Sequence, residues 1–219
     1  MSFDVGSRSI LSPRDLGRFA KDTLFDRLAR AVCEADCLPR KELYEAWEVA
    51  RRVRRRCRGG RVVDVASGHG LLAHVMLILD DTSPGALAVD PMRPASAASL
   101  EERLLAAWPR LRGRVQRVDS RIEEVPLFSE DLIVSVHACG ALTDTVLARA
   151  VAARARVAVL PCCHDLLTCD TGGLEGWMDG PLAIDASRAM RLRQASYAVH
   201  TQTIPEQITP KNRLLIGLC

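Results

Sequence analysis

The chain has 219 residues, of which 48% are hydrophobic and 26% charged, as in ordinary globular proteins with an apolar core. Its formal net charge of +3 is too small for composition alone to indicate a nucleic-acid partner. The longest apolar run, residues 71–79, is too short to cross a bilayer, and the first residues lack the pattern of a signal peptide. We therefore expect a cytoplasmic protein without a membrane partner, whose eight cysteines are free thiols.

Apolar spacing predicts two helices at the start of the chain, over about residues 12–32 and 39–57. We expect them to form an N-terminal helical extension, residues 1–58, beside a main domain over residues 59–219. The second helix ends in an arginine-rich run and leads directly into a strand, so its end should lie at the sheet edge opposite any ligand. We interpret the run as cations on a solvated helix C-terminus rather than a nucleic-acid surface.

Strands and helices alternate through the main domain, which predicts an α/β fold with a mostly parallel seven-stranded sheet. A short link joins the last two strands, so they should form an antiparallel hairpin that reverses one strand of the sheet. The predicted strands cover about residues 62–65, 86–90, 115–122, 131–136, 157–160, 199–204 and 213–218. The predicted helices between them cover about residues 71–79, 99–108, 142–154 and 184–195.

The turn after the first strand, Asp64-Val65-Ala66-Ser67-Gly68-His69-Gly70, is the strongest functional signal. A dinucleotide-binding turn needs a third glycine, which is missing here and counts against a nucleotide-dependent oxidoreductase. The acid before the turn suits a ligand with a positive centre. The segment resembles the first motif of class I S-adenosylmethionine (SAM) dependent methyltransferases, acid-x-Gly-x-Gly-x-Gly, with Ala66 in place of the first glycine.

This resemblance implies the Rossmann-like class I methyltransferase fold and SAM as the cofactor. Asp90 closes the second strand about twenty residues after the turn, where a carboxylate accepts hydrogen bonds from both ribose hydroxyls. A strand-terminating aspartate before a proline is the structural alternative. In the methyltransferase pattern, a polar residue after the third strand meets the adenine, and Asp119 is the candidate. The expected SAM-binding residues are Asp64, Ala66, Ser67, Gly68, His69, Gly70, Asp90, Pro91, Asp119, Ser120 and His137.

Two later motifs resemble those of a more specific family among these methyltransferases. The segment His137-Ala138-Cys139-Gly140, followed by Thr143-Asp144, and the later Cys162-Cys163-His164 resemble a methyltransferase-domain family over about residues 61–167. That family includes eukaryotic tRNA 2′-O-methyltransferases, methyltransferase-like proteins and glutathione S-transferase C-terminal-domain-containing proteins. The resemblance implies an RNA acceptor, with tRNA preferred. A small metabolite, a protein side chain or a non-catalytic binding module remain alternatives, and Ala66 favours the last.

Polar residues at the tips of the later strands are the candidates for catalysis and acceptor binding. A general base is needed only for a hydroxyl or a protonated amine, and His137 is the first candidate, with His164 second. A lone histidine at a strand end is more often structural. The expected acceptor-binding residues are Cys162, Cys163, His164, Lys211 and Asn212.

The cysteines at these tips raise the question of a metal. Cys139, Cys162 and Cys163, with His137 and His164, could supply four ligands to zinc if the two tips converge. Adjacent cysteines rarely ligate one ion together because their side chains diverge, and buried thiols also pack as small hydrophobes. We therefore assign no metal from the sequence.

Overall fold

A computed structural model describes residues 3–219, which contain a seven-stranded sheet covered by helices on both faces. The strands follow the order β3-β2-β1-β4-β5-β7-β6, and β7 is antiparallel to both of its neighbours. The expected parallel sheet with a reversed hairpin strand is therefore confirmed. The strands are β1 Val62–Val65, β2 Ala86–Val89, β3 Val115–Val118, β4 Leu132–Ser135, β5 Arg156–Val159, β6 Ala198–Thr203 and β7 Arg213–Leu218. The helices are α1 Leu24–Ala35, α2 Arg40–Arg56, α3 Leu71–Leu79, α4 Ala97–Ala107, α5 Ala141–Ala153 and α6 Gly180–Gln194.

Alternate residues of the central strands supply two hydrophobic cores, one on each face of the sheet. In β1, Val62 packs into the core under α1 to α4, while Val63 packs into the core under α5 and α6. Neighbouring side chains of a strand point to opposite faces, and a parallel strand covered on both sides is apolar throughout. Asp64 faces the same side as Val62 and is therefore a carboxylate inside an apolar layer.

The first predicted helix is wrong in its extent. Residues 13–18 form a 3-10 helix, and α1 begins only at Leu24, because Thr23 caps it by accepting a hydrogen bond from the amide of Asp26 at 3.0 Å. Likewise α6 begins before the predicted residue 184, because the carboxylate of Asp179 accepts from the amide of Leu182.

The two N-terminal helices share the hydrophobic core of the sheet. Helix α2 packs on α3 and helix α1 packs on α4, and buried residues of α1 and α2 belong to one cluster with Val62 and Leu132 of the central strands. This packing places the N-terminal half of α2 over the carboxyl end of β1. None of the helices among residues 3–219 combines the length and apolar character that a bilayer crossing needs.

The arginine-rich end of α2 differs from the predicted solvated face at one position. Arg54 is 4% exposed, lies 3.1 Å from the buried carboxylate of Asp80, and donates to the carbonyl of Met76 and the hydroxyl of Ser83. Burial lowers its pKa to about 10, while the charge of Asp80 acts in the opposite direction. Arg55 and Arg56 are exposed, as expected. Arg54 therefore anchors α2 to the loop after α3.

Truncating Arg54 should destabilise the protein far more than truncating its neighbour. Arg54→Ala leaves the buried Asp80 with the exposed Arg58 at 3.9 Å, which is a weaker partner. The loss should cost about 3 kcal/mol, the lower end for breaking a buried pair, whereas Arg55→Ala should stay within about 0.5 kcal/mol of the wild type. Urea unfolding followed by circular dichroism measures both. Equal stability of the two variants would show that the buried pair contributes nothing.

Candidate active site

The turn between β1 and α3 has the backbone of a glycine turn even where a glycine is missing. Ala66, Gly68 and Gly70 all have positive φ angles, of 55°, 48° and 78°. Such a conformation costs a residue with a Cβ about 1–2 kcal/mol, so Ala66 holds the glycine-type path under strain. Ala66 thus adopts the left-handed backbone conformation that a glycine takes more readily.

Hydrogen bonds join this turn to the tip of β2. The amide of Gly68 donates to Oδ2 of Asp90 at 2.9 Å, and the amide of Ser67 donates to the carbonyl of Val89 at 3.2 Å. The other carboxylate oxygen of Asp90 accepts from the amide of Met92 at 2.9 Å. Because a carboxylate oxygen accepts more than one hydrogen bond, Asp90 keeps acceptor capacity toward a ligand.

Arg117 supports the turn from β3, a role that was not predicted from the sequence. Its guanidinium donates to the carbonyl of His69 at 2.6 Å and lies 3.5 Å from Glu101. A Cβ on Gly70 would come within 3.3 Å of this guanidinium. Ala88 pairs with Arg117 in the sheet, and its small side chain leaves room for the arginine. The hint in the sequence is a charged residue inside a strand of a parallel sheet, where apolar residues are usual.

Asp64 lies beneath the turn as a buried carboxylate. It is 2% exposed, and its Oδ2 accepts from the amide of Ala73 in the first turn of α3 at 3.0 Å. Burial raises its pKa to about 8; nearby Asp90 adds to the rise, whereas the Ala73 hydrogen bond and Arg117 oppose it. Asp64 therefore stays largely protonated at neutral pH until a cation approaches.

Two compartments meet at Ala66. The smaller, about 30 Å³, lies between the turn and α2, and the larger, about 330 Å³, lies beyond the tips of β2 and β3. The smaller is lined by Leu38, Glu42, Ala46, Asp64, Ala66, Ser67, His69, Leu71, Leu72, Val136 and His137. The larger is lined by Val65, Ala66, Val89, Asp90, Pro91, Ser120, Arg121, Ile122, Glu123 and Leu142.

Most of the predicted cofactor-binding residues lie in or around these compartments. Gly68 and Gly70 belong to the turn itself, and an added Cβ on Gly68 would meet nothing within 4 Å, so its backbone is open to a ligand. Asp119 is the exception, because its side chain is exposed and outside both compartments, while the next residue, Ser120, lines the larger one. Strand β3 ends at Val118, and beyond its end a shift of one residue changes which side chain points toward the larger compartment.

The smaller compartment is acidic because Glu42 joins Asp64 there. Burial raises the pKa of Glu42, and the neighbouring Glu45 adds to the effect. Partial burial lowers the pKa of His69 and of His137, and the charge of Lys41 lowers that of His137 further, so both histidines are neutral at physiological pH. Lys41 acts against the rise at Glu42, as Arg117 does at Asp64, but in both groups the effect of burial is larger. A buried and a half-buried carboxyl group that share one compartment favour a positively charged ligand. The sequence missed Glu42 because it lies on a helix assigned to a separate extension.

His137 lies at the mouth of the smaller compartment on a well-fixed loop. The hydroxyl of Ser135 donates to the carbonyl of Val65 at 2.7 Å and accepts from the amide of Ala138 at 3.1 Å. The His137 side chain is 40% exposed, and its Nε2 lies 3.9 Å from a carboxylate oxygen of Glu45. The tip of β4 is thereby tied to β1, and the imidazole reaches both the compartment and solvent.

His164 occupies a different environment. Its side chain is 1% exposed, and its Nε2 lies 2.9 Å from the carboxylate of Asp185, which also pairs with Arg188 and Arg213. A ring held in this way is oriented by α6 and lies outside both compartments. The geometry fits a structural hydrogen bond to Asp185 better than a base beside the cofactor.

The remaining predicted acceptor residues lie on separate parts of the same edge. Lys211 is exposed in the turn between β6 and β7, and the side-chain amide of Asn212 donates to the carbonyl of Ile204 at 3.0 Å, closing that turn. The Sγ atoms of Cys162 and Cys163 lie 3.8 Å apart. The expected divergence of these two side chains is wrong, because they lie beyond the end of β5, where the alternation of a strand no longer applies.

Comparison with known proteins identifies the family to which this chain belongs. A family model described as a methyltransferase domain matches residues 41–170, which include α2, the turn and the tips of β2 to β5. The chain belongs to the methyltransferase-domain family. No curated protein matches it.

Solved structures of methyltransferases share the fold at low sequence identity. An O-methyltransferase family protein from Burkholderia thailandensis aligns with a TM-score of 0.52 and 19% identity over 93% of this chain and 62% of that chain. A ribosomal protein L11 methylase from Lactobacillus delbrueckii subsp. bulgaricus aligns with a TM-score of 0.50 and 16% identity over 79% and 76% of the two chains. The SAM-dependent methyltransferase SibL aligns with a TM-score of 0.51 and 19% identity over 97% and 66%. The chain thus spans about three fifths of the Burkholderia protein.

The methyltransferase-domain site fits SAM, the cofactor that the family implies. Ser67 Oγ is buried without a hydrogen-bond partner among residues 3–219, and Asp90 has spare acceptor capacity. The larger compartment is of the size that small-ligand pockets have. The acidic smaller compartment matches the sulfonium and ammonium groups of SAM. Asp64, Glu42, Ser67 and Asp90 are therefore the residues that would hold the cofactor.

SAM affinity should depend on pH through Asp64. A cationic ligand favours the ionised carboxylate, so SAM binding expels the proton that Asp64 carries below about pH 8. The affinity for SAM should therefore fall by up to about tenfold per pH unit as the pH drops from 8 to 6. Asp64→Asn should remove this pH dependence of SAM affinity. Calorimetry of both proteins across that range measures it, and titration of the ligand's own amine cancels in the comparison. Equal slopes for the two proteins would rule out the linkage.

Proposed function

We propose that this methyltransferase-domain protein transfers the methyl group of SAM to RNA, with structured RNA such as tRNA as the preferred acceptor. The observation that carries the SAM-dependent step is the acidic compartment that Asp64 and Glu42 form against the turn of β1. The preference for RNA rests on the motifs around His137 and Cys162 and on the charge of the cleft rim.

The rim of the cleft carries features that suit a nucleic acid. Arg93 follows β2, Arg121 follows β3 and Lys211 lies between β6 and β7, and all three are exposed at the carboxyl edge of the sheet. Trp177, in the segment between β5 and α6, is 88% exposed. Cations that neutralise phosphates and an aromatic ring that stacks on an unpaired base are the usual elements of RNA binding. Together they support an RNA acceptor over a small metabolite.

The residues of the chain contribute mainly by positioning. SAM supplies an activated methyl group on a positively charged sulfur, so little covalent catalysis is required of the protein. Asp64 and Glu42 balance that charge, and Asp90 orients the ribose. Holding the reacting groups close together accounts for most of the acceleration in such a displacement. His137, at the junction of the compartment and solvent, is the candidate to receive the proton of an acceptor hydroxyl.

The acceptor class can be tested with radiolabelled SAM and cellular fractions. We expect label in the RNA fraction, lost after nuclease treatment and retained after protease treatment. Asp90→Ala should abolish labelling because the ribose contact is lost. Asp119→Ala removes a nearby carboxylate outside both compartments and should stay within about twofold of the wild type, as surface substitutions usually do.

The alternatives give different outcomes in the same assay. Label that survives nuclease and disappears with protease would show a protein acceptor, and label in small molecules would show a metabolite. Calorimetric binding of SAM without transfer to any fraction would indicate a non-catalytic module.

Replacing His137 should affect turnover rather than cofactor binding. His137→Ala is expected to lower kcat by about 10²–10⁴-fold while the Kd for SAM changes little, because the cofactor's contacts are made by the turn and Asp90. His200→Ala, on β6, is the matched control and should leave kcat unchanged. Normal turnover by His137→Ala would end the assignment.

A further inference from the structure

Three thiols converge where two strand tips meet. Cys139 lies beyond the end of β4, and Cys162 and Cys163 lie beyond the end of β5. Their three Sγ atoms all lie within 4.8 Å of one another. Cys139 and Cys163 are exposed, so the group opens to solvent at the edge of the sheet that carries the cofactor site.

The sulfur spacing approaches that of a metal–thiolate site. Zinc–sulfur bonds of about 2.3 Å in a tetrahedron place neighbouring sulfurs about 3.8 Å apart. Cys162 Sγ and Cys163 Sγ are 3.8 Å apart, and Cys139 Sγ and Cys162 Sγ are 2.8 Å apart. The second pair would open by about 1 Å to take an ion, a movement within reach of an exposed side chain such as Cys139.

The two loops that carry the thiols are held together by the protein itself. The amide of Gly140 donates to the carbonyl of Cys163 at 3.3 Å, and the carbonyl of Gly140 accepts from the fully buried guanidinium of Arg188 at 3.0 Å. The same arginine is paired with Asp144 on α5 at 2.7 Å. The convergence of the cysteines is therefore imposed by backbone and buried charge contacts, and does not depend on an ion.

We propose that Cys139, Cys162 and Cys163 bind one zinc ion through three thiolates and leave its fourth coordination position open to solvent or an incoming ligand. Soft thiolate ligands select zinc among the divalent ions available in cells. The three thiols release three protons to solvent when Zn²⁺ binds, and the occupied site carries one net negative charge. His164 Nε2 is committed to Asp185 and lies outside the group of converging atoms.

The chemistry of the metal-free thiols agrees with this assignment. Burial raises the pKa of Cys139 and of Cys162, and the contact between them raises that of Cys162 further. Metal ligation requires the thiolate form, so binding of a dication and release of the thiol protons are coupled. Three-ligand zinc with an open position is the arrangement of catalytic rather than structural zinc sites. His137, two residues before Cys139, reaches the cofactor compartment from the same loop.

Metal uptake by the full-length reduced protein tests the proposal directly. One equivalent of Zn²⁺ should remain bound after gel filtration, measured by mass spectrometry, and Co²⁺ in its place should give intense near-ultraviolet thiolate charge-transfer bands. Cys139→Ser and Cys163→Ser should each weaken Zn²⁺ binding by about 100-fold or more, since even the partners of metal ligands are worth about 10–100-fold. Cys219→Ser, which removes an exposed thiol at the C-terminus, should bind like the wild type.

Alkylation of the same samples separates the outcomes. With Zn²⁺ bound, Cys139 and Cys163 should be protected from maleimide while exposed Cys219 still reacts. A chelator should restore the reactivity of Cys139 and Cys163. The assignment would be overturned if Cys219→Ser lost Zn²⁺ binding to the same extent as Cys139→Ser and Cys163→Ser. A reduced protein that takes up no metal would also overturn it, as would a protein in which Cys139 and Cys162 form a disulfide and bind no zinc after reduction. None of these readouts depends on methyl transfer, so failure of the proposed function would leave them unaffected.

Discussion

The hydrogen bond from the amide of Gly68 to the carboxylate of Asp90 joins the tips of β1 and β2, and the cofactor site depends on it. It fixes the position of the turn relative to the carboxylate and so sets the boundary at which the two compartments meet. The turn takes that position only because three of its residues have positive φ angles, including the strained Ala66, and because Arg117 holds its carbonyls from below. The site is thereby tied directly to the tips of two neighbouring strands.

Helix α2 connects the N-terminal part of the chain to the chemistry. Its first turns place Glu42 and Ala46 over the carboxyl end of β1, where they close the smaller compartment. Its last turn is fixed by Arg54, whose buried guanidinium faces Asp80 at the opposite edge of the sheet. The contact between Arg54 and Asp80 therefore holds in place the helix whose first turns form the acidic wall opposite Asp64. The family model begins within this helix, at residue 41.

The parts of the structure that repeat along the chain were predictable, and those that depend on distant contacts were not. The sheet, its reversed strand, Asp64 and Asp90 were located from strand periodicity and from the glycine-bearing turn, because each is encoded by neighbouring residues. Glu42 and Arg117 were missed because their roles arise from packing across the sheet, between residues far apart in sequence.

The direction of side chains beyond a strand end could not be predicted from the sequence either. Asp119 and Ser120 differ by one residue, yet only Ser120 lines the larger compartment, because the chain turns after Val118. His164 follows a strand as His137 does, but the imidazole of His164 is hydrogen-bonded to Asp185 on α6. The convergence of Cys162 and Cys163 has the same origin, since outside the pleated strand the alternation rule no longer fixes where a side chain points.

A crystal structure with S-adenosylhomocysteine is the most direct measurement of the central claim. We predict that the adenosine lies in the compartment of Asp90 and Ser120, with both ribose hydroxyls on Asp90, and that the amino-acid end passes Ala66 to face Asp64 and Glu42. A ligand bound elsewhere, or a ribose without contact to Asp90, would contradict the account.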